Sequence, residues 1–169
     1  MSNSVDAQYL IFLFVFALSS SVQTKSLRHY ERVNKPEMAR AILARLRDVP
    51  LERVWRTVLE GGLMEARLGE LPTARRVFKY LMAHVSWFGP IYFECARVEE
   101  RWGRFELALQ TVERGIAQMP RYGPLWFMAF RLLERTSTNF DVPRAHAQRA
   151  LGHVSAVSCR THANAQQLG

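Results

Sequence analysis

Apolar residues recur along this chain at helical spacing, in short blocks separated by turn residues. In MARAILARL, Ala39, Ile42, Leu43 and Leu46 fall at i, i+3, i+4 and i+7, one stripe of a helix. Pro36 fits the first turn of that helix, after Asn34 or Lys35 ends the one before, and Asp48, Val49 and Pro50 break it. The pattern predicts a second helix over about 51–68, with Val54, Trp55, Val58, Leu59 and Leu63 on a broad apolar side. Gly69 closes it as a turn glycine. Its partner runs over 71–83 and turns Ala74, Val77, Phe78 and Leu81 inward. Further helices follow over 91–102, 105–117 and 125–134, and a last one starts at Pro143 with Asp141 placed to cap it. Gly61 and Gly62 stand inside a helix and weaken it by about 1 kcal/mol each relative to Ala. They either let a neighbouring helix come close or mark a kink.

The blocks repeat. Gly69 and Gly103, Ala74 and Ala108, Gly89 and Gly123, and Pro90 and Pro124 are all 34 residues apart. Between these marks Phe88 matches Tyr122, Ile91 matches Leu125, Tyr92 matches Trp126 and Phe93 matches Phe127. Such a period is the length of one helix–turn–helix repeat. The expectation is an all-α, right-handed solenoid of three to four antiparallel helical hairpins. The last helix aligns with an earlier one when Pro143 is set against Pro72, an offset of two periods plus a three-residue turn insertion. Its stripe, Ala145, Gln148 and Leu151 or Gly152, is poorer than the others. Residues 1–24 stand outside the repeat, residues 25–152 form the array, and residues 153–169 read as a disordered polar tail.

Charge adds a question about partners. There are 23 Lys and Arg against 15 Asp and Glu, a formal charge of +8, and a pI near 10.2. Lysine occurs only as Lys25, Lys35 and Lys79; the rest is arginine, whose rigid fork suits phosphate or carboxylate. Cys95 reads as a small buried hydrophobe and Cys159 as incidental. The apolar run at 9–18, YLIFLFVFAL, reaches only about 15 Å as a helix, half a bilayer core. It suits the apolar centre of a secretory signal, although Asp6 precedes it and no Lys or Arg does. A retained helix on the array, or a faulty start to the reading frame, fits it as well. Any membrane contact would come through this leader, if it is retained.

The repeat resembles the half-a-tetratricopeptide (HAT) family of RNA-processing proteins. Gly69, Ala74, Arg75 and Phe78 match the opening of that family's second helix, while Tyr92, Phe93 and Glu99, then Trp126, Phe127 and Glu134, match its first. Pro120 takes the place of the inter-repeat proline, and Phe130 stands where the ordinary tetratricopeptide wants a small residue. Leu109 in place of Arg75 and Gly115 in place of alanine are departures. The WFGP-IYFE and RYGPLWF phrases look most like array proteins of organellar, chloroplast-type RNA, which implies an organelle or the nucleus as location.

Two functions follow from the resemblance and the charge. The first is a non-enzymatic RNA-binding array that contacts single-stranded RNA through an interrupted basic stripe of Arg40, Arg45, Arg47, Arg75, Arg76, Lys79, Arg144 and Arg149. Trp87 and Tyr122, in or beside loops, would stack on bases. The second is a protein–protein scaffold in an RNA-processing complex, with Trp55, Trp87 and Tyr122 as anchors. The remaining aromatics, Phe88, Tyr92, Phe93, Trp102, Phe105, Trp126, Phe127 and Phe130, belong to the core. Arg97 and Arg104 have Glu100 within reach, and Arg75 is able to bridge to a glutamate instead of a ligand. No H-E-x-x-H, zinc spacing, Gly-rich phosphate loop or nucleophile motif is present. The sequence thus implies no enzyme, cofactor, metal or small-molecule substrate.

Overall fold

The computed structural model describes residues 20–136 and 141–166, with side chains as far as His153. Among them are eight helices and no strand: α1 (Ser20–Arg32), α2 (Pro36–Arg45), α3 (Leu51–Arg67), α4 (Leu71–His84), α5 (Gly89–Arg101), α6 (Phe105–Gln118), α7 (Gly123–Thr136) and α8 (Asp141–Gln166). The expected all-α hairpin-repeat class is the observed one. The apolar run at 9–18, and residues 137–140 of the turn before α8, lie outside the described residues. α1 opens at Ser20, within the segment set apart as a leader, and buries Gln23 and Leu27. α8 continues past His153 to Gln166.

Three turns share one geometry. Gly69 and Gly103 sit at φ +92° and +71°, and Asn34 at +55°. In each, the next amide donates back to a carbonyl near the end of the preceding helix: Lys35 to Tyr30 at 2.8 Å, Glu70 to Glu65 at 2.9 Å, Arg104 to Glu99 at 2.9 Å. This satisfies carbonyls that the helix end leaves open, and it requires the left-handed conformation that Gly and Asn tolerate. Asn34 therefore marks a repeat of the same kind one period earlier, with α1 and α2 as its hairpin.

The chain forms two compact units, Met1–Val85 and Ser86–Gly169. In the first, α1 packs on α2 and α3, and α3 packs on α2 and α4. Leu27, Ala39 and Met64 are fully buried there, with Tyr30 and Leu43 against them. α3 runs unbroken through its two glycines. A Cβ on Gly61 would lie 2.6 Å from the tip of Leu43 on α2, and one on Gly62 would lie 2.9 Å from Val77 on α4. Close approach from both sides, rather than a kink, accounts for the pair. In the second unit, α5 packs on α6 and α7, α6 on α7, and α7 on α8. Its core holds Ile91, Ala96, Ala108, Val112, Leu125, Ala129 and Leu132, all inaccessible to solvent. Gly115 departs from alanine because its Cβ would meet Tyr92 and Leu125 at 2.8 Å.

The last helix corrects the sequence reading. Ala145, Gln148, Leu151 and Gly152 are exposed, while Pro143 and His146 are buried. The inward face is led by a histidine, whose ring lies 5.0 Å from that of Trp126. A ring with an apolar body and a polar edge fills a core position that a search for aliphatic residues passes over.

Candidate interaction surface

The first helices of successive hairpins meet through charged pairs as well as apolar contact. Glu60 on α3 is buried and accepts hydrogen bonds from Arg28 on α1 at 2.8 Å and from Arg67 of its own helix at 2.9 Å. Arg67 also closes a fork on Glu31 of α1, at 2.5 and 2.7 Å. Burial pushes the Glu60 carboxyl up, but hydrogen bonds and charge from Arg28 and Arg67 outweigh it and hold the group below its ordinary 4.5. Hydrogen bonds to Glu31 and Glu60 in turn raise the Arg67 guanidinium. Beside them, Ser20, Gln23, Thr24 and Thr57 form a hydroxyl–amide cluster between α1 and α3, with Ser20 Oγ and Thr57 Oγ1 3.1 Å apart. In the second unit Glu100 of α5 receives both Arg131, at 2.5 Å, and Arg135, at 3.3 Å, from α7. Arg97 pairs with Glu94 at 2.9 Å, not with Glu100 as local spacing suggested. These acids fix how neighbouring helices register, and they remove much of the arginine from service as free cation.

The expected basic residues separate into classes. Arg40 donates through Nε and Nη2 to the two oxygens of Glu65, both at 2.8 Å, and its guanidinium is raised chiefly by that hydrogen bond. Arg75, one period after Arg40, is half-buried. Arg45 and Arg47 are exposed on and beyond the end of α2. Arg76 and Lys79 are exposed on one face of α4 together with Tyr80, and Arg76 reaches Thr73 Oγ1 at 3.3 Å. Arg144 and Arg149 are exposed on α8, and Arg149 lies over the Trp126 ring at 5.8 Å. Arg40 and Arg45 are five residues apart, as are Arg144 and Arg149; at 3.6 residues per turn such pairs do not share a face. On α6 the positions matching Arg76 and Lys79 are Gln110 and Glu113, so the α4 face is not extended in kind there.

The aromatic candidates divide too. Trp87 is 65% exposed and stands edge-on to Phe88. Tyr122 is half-buried with its ring against Gly89. Trp55 is only 6% exposed and lies under Arg56, so it is a core residue and not a ready anchor. Of the aromatics assigned to the core, Tyr92 and Trp126 are buried, but Trp102 and Phe127 are 48% and 79% exposed. Phe93, one period before Phe127, is half-buried on α5.

Sequence reasoning missed the charged ladder, although a signal existed. Arginine recurs as Arg32, Arg67, Arg101 and Arg135 in one register of the repeat, and glutamate as Glu31, Glu100 and Glu134 in the register just before it. Among the described residues no group of three or more His, Cys, Asp and Glu is placed to hold a metal ion, and no helix is long and apolar enough to cross a membrane. Cys95 is buried; the side chain of Cys159 lies outside the described residues.

Comparison with known proteins gives this architecture relatives. Residues 13–168 match the family described as PRP6, TPR-like domain. A TPR-containing protein of Dictyostelium discoideum is 50% identical over 122 residues, which cover 72% of this chain and 9% of that protein. Pre-mRNA-splicing factor 6 of Saccharomyces cerevisiae is 29% identical over 111 residues, 66% of this chain and 12% of that protein. The chain thus spans about a tenth of the length of these curated relatives. The helical hairpins, their 34-residue period and the match along most of the sequence agree: the chain belongs to the PRP6 TPR-like domain family.

Proposed function

We propose that this domain is a non-enzymatic protein–protein interaction module within a pre-mRNA-processing assembly. The observation that carries the reading is the membership in a splicing-factor repeat family, joined to a surface that keeps large apolar side chains in water. Phe127, Trp87 and Trp102 are such residues, and aromatic side chains in partly exposed sites are the usual anchors of interfaces. The consumption of Arg40, Arg67, Arg131 and Arg135 by glutamates favours a scaffold over a continuous phosphate-binding stripe. A nuclear location suits this reading better than the organellar one, which rested on two loop phrases; imaging of the tagged chain tests it.

The direct test is affinity purification from crosslinked cells with and without ribonuclease. Stoichiometric partners that survive ribonuclease support the scaffold. Partners that vanish on ribonuclease treatment transfer the function to RNA.

Direct RNA contact is the second reading, supported by the exposed Arg76 and Lys79 with Tyr80 on one face of α4. It requires that the purified chain retard single-stranded RNA at low salt and release it steeply as salt rises. Replacing Arg76 and Lys79 together would then weaken binding without loss of helix.

A further inference from the structure

The three turns closed by a left-handed residue share a second feature. The residue just before Asn34, Gly69 and Gly103 is a large apolar one in each case, Val33, Leu68 and Trp102, and all three are exposed, at 44%, 39% and 48%. The turn itself does not ask for this. Its usual apolar contact is made by the residue after the left-handed one, and here that residue is Lys35, Glu70 or Arg104. Single exposed apolar residues are ordinary on a surface, but three at one register are not a scatter. Hairpins stack through the sides of their helices, so the turn within a hairpin lies on an edge that stays open however many hairpins precede or follow. The α5–α6 turn combines this position with charge. Arg101 and Arg104 flank Trp102 and are exposed, and Leu107, which opens α6 beside them, is 40% exposed. Among the described residues neither arginine makes an ion pair: Glu100, next to Arg101, is taken by Arg131 and Arg135 of α7. A Cβ on Gly103 would meet nothing within 4 Å, so the space around the turn is clear.

We infer that the α5–α6 turn, through Arg101, Trp102 and Arg104, binds an acidic segment of a partner protein in which an apolar side chain sits among carboxylates. The inference rests on the scaffold reading and names the chemistry of the partner. Each guanidinium offers a fork that a carboxylate meets with two hydrogen bonds, and neither must first be released from an ion pair of its own. Trp102 and Leu107 supply the apolar surface between and beside the forks. RNA would bring a base for Trp102 and phosphates for the arginines, but nothing apolar for Leu107, so a protein segment answers more of the patch. A second copy of this chain does not suit it. A two-fold contact sets a patch against itself, and would bring Arg101 and Arg104 against their own copies.

The probe is a short labelled peptide with a Leu-Phe pair set among Asp and Glu, titrated into the intact chain. The wild type should bind it. Trp102→Ala, and separately Arg101→Gln with Arg104→Gln, should each weaken binding by about tenfold or more, and so should replacing Leu-Phe in the peptide by Gly-Ser. Circular dichroism should be unchanged for the arginine double variant, because both side chains stand in water outside any ion pair, so its loss of binding is not a loss of fold. Arg76→Gln with Lys79→Gln, on α4, should leave binding as it is. No binding by the wild type overturns the inference. Equal loss from the α4 variant, or equal binding of the Gly-Ser peptide, overturns it as well, since attraction between opposite charges would then be the whole effect. So does an oligouridylate that binds in place of the peptide and is lost with Trp102→Ala, or a wild-type dimer that Trp102→Ala dissolves. In the purification described above, the arginine double variant should lose a ribonuclease-resistant partner. If it retains them all, the assignment of this turn fails and the scaffold stands; if the wild type has none, the scaffold itself fails.

Discussion

Arg67 of α3 grips Glu31 of α1 with two hydrogen bonds, at 2.5 and 2.7 Å, while a third ties it to Glu60 at 2.9 Å. One guanidinium thus spans two first helices and fixes their register. The apolar contacts around it, from Leu27 and Met64, set distance but would tolerate sliding.

The buried member of that group makes the first unit acid-sensitive. The folded Glu60 carboxyl is held below its ordinary 4.5, so the unfolded chain takes up a proton first. Its stabilising contribution is complete above about 4.5 and is lost as pH falls through the folded value. Urea midpoints measured from pH 7 to pH 3 should therefore decline below that point, and Glu60→Gln should flatten the decline. A variant with the same acid limb as the wild type would remove Glu60 from this role.

His146 gives the second unit a separate response. The ring is buried, its Nε2 is buried with no hydrogen-bond partner, and it packs on Trp126 within the influence of the Arg149 and Glu113 charges, with His153 also against Trp126. Burial first, then Arg149, lowers its proton affinity below the ordinary 6.5, against a weaker opposite pull from Glu113. The folded form is neutral. Its contribution is whole above about 6.5 and declines as pH falls below it. Protection factors of α8 amides, with the intrinsic pH dependence of exchange divided out, should fall between pH 6.5 and pH 5, and His146→Phe should suppress that change.

Gly61 and Gly62 should part company when each is replaced by alanine. Both substitutions gain helix propensity, about 1 kcal/mol. At Gly61 the obstacle is the tip of Leu43, which can rotate, so the variant should be close to neutral. At Gly62 the obstacles are the branched Val77 at 2.9 Å and the Phe78 ring at 3.2 Å, so the variant should lose stability. Thermal melts of the two proteins side by side settle the order.

Ala74 and Ala108 occupy one register and are both fully buried. Leucine at either should cost about 1–3 kcal/mol by overpacking. A chemical-denaturation loss below about 0.5 kcal/mol, the range of substitutions away from packed sites, would show that the hairpins have room to spare.

The sequence alone determined the helices, their turns and the repeat. Those features are local: Gly69 and Gly103 are needed where the chain turns left-handed, and stripes such as Ala74, Phe78 and Leu81 follow from helical spacing. Turn positions and the inward face of most helices were legible for that reason, and so was the exposure of Trp87. Tertiary structure alone decided which arginines are consumed and which remain on the surface. Arg40, Arg67 and Arg131 look alike as residues, yet their partners Glu65, Glu31 and Glu100 stand 25, 36 and 31 positions away. The same holds for Trp55 and Phe127, alike as apolar positions on first helices but 6% and 79% exposed. A helix presents several faces at once, and whether one is core or surface depends on the neighbour that covers it, which lies outside any local window of sequence.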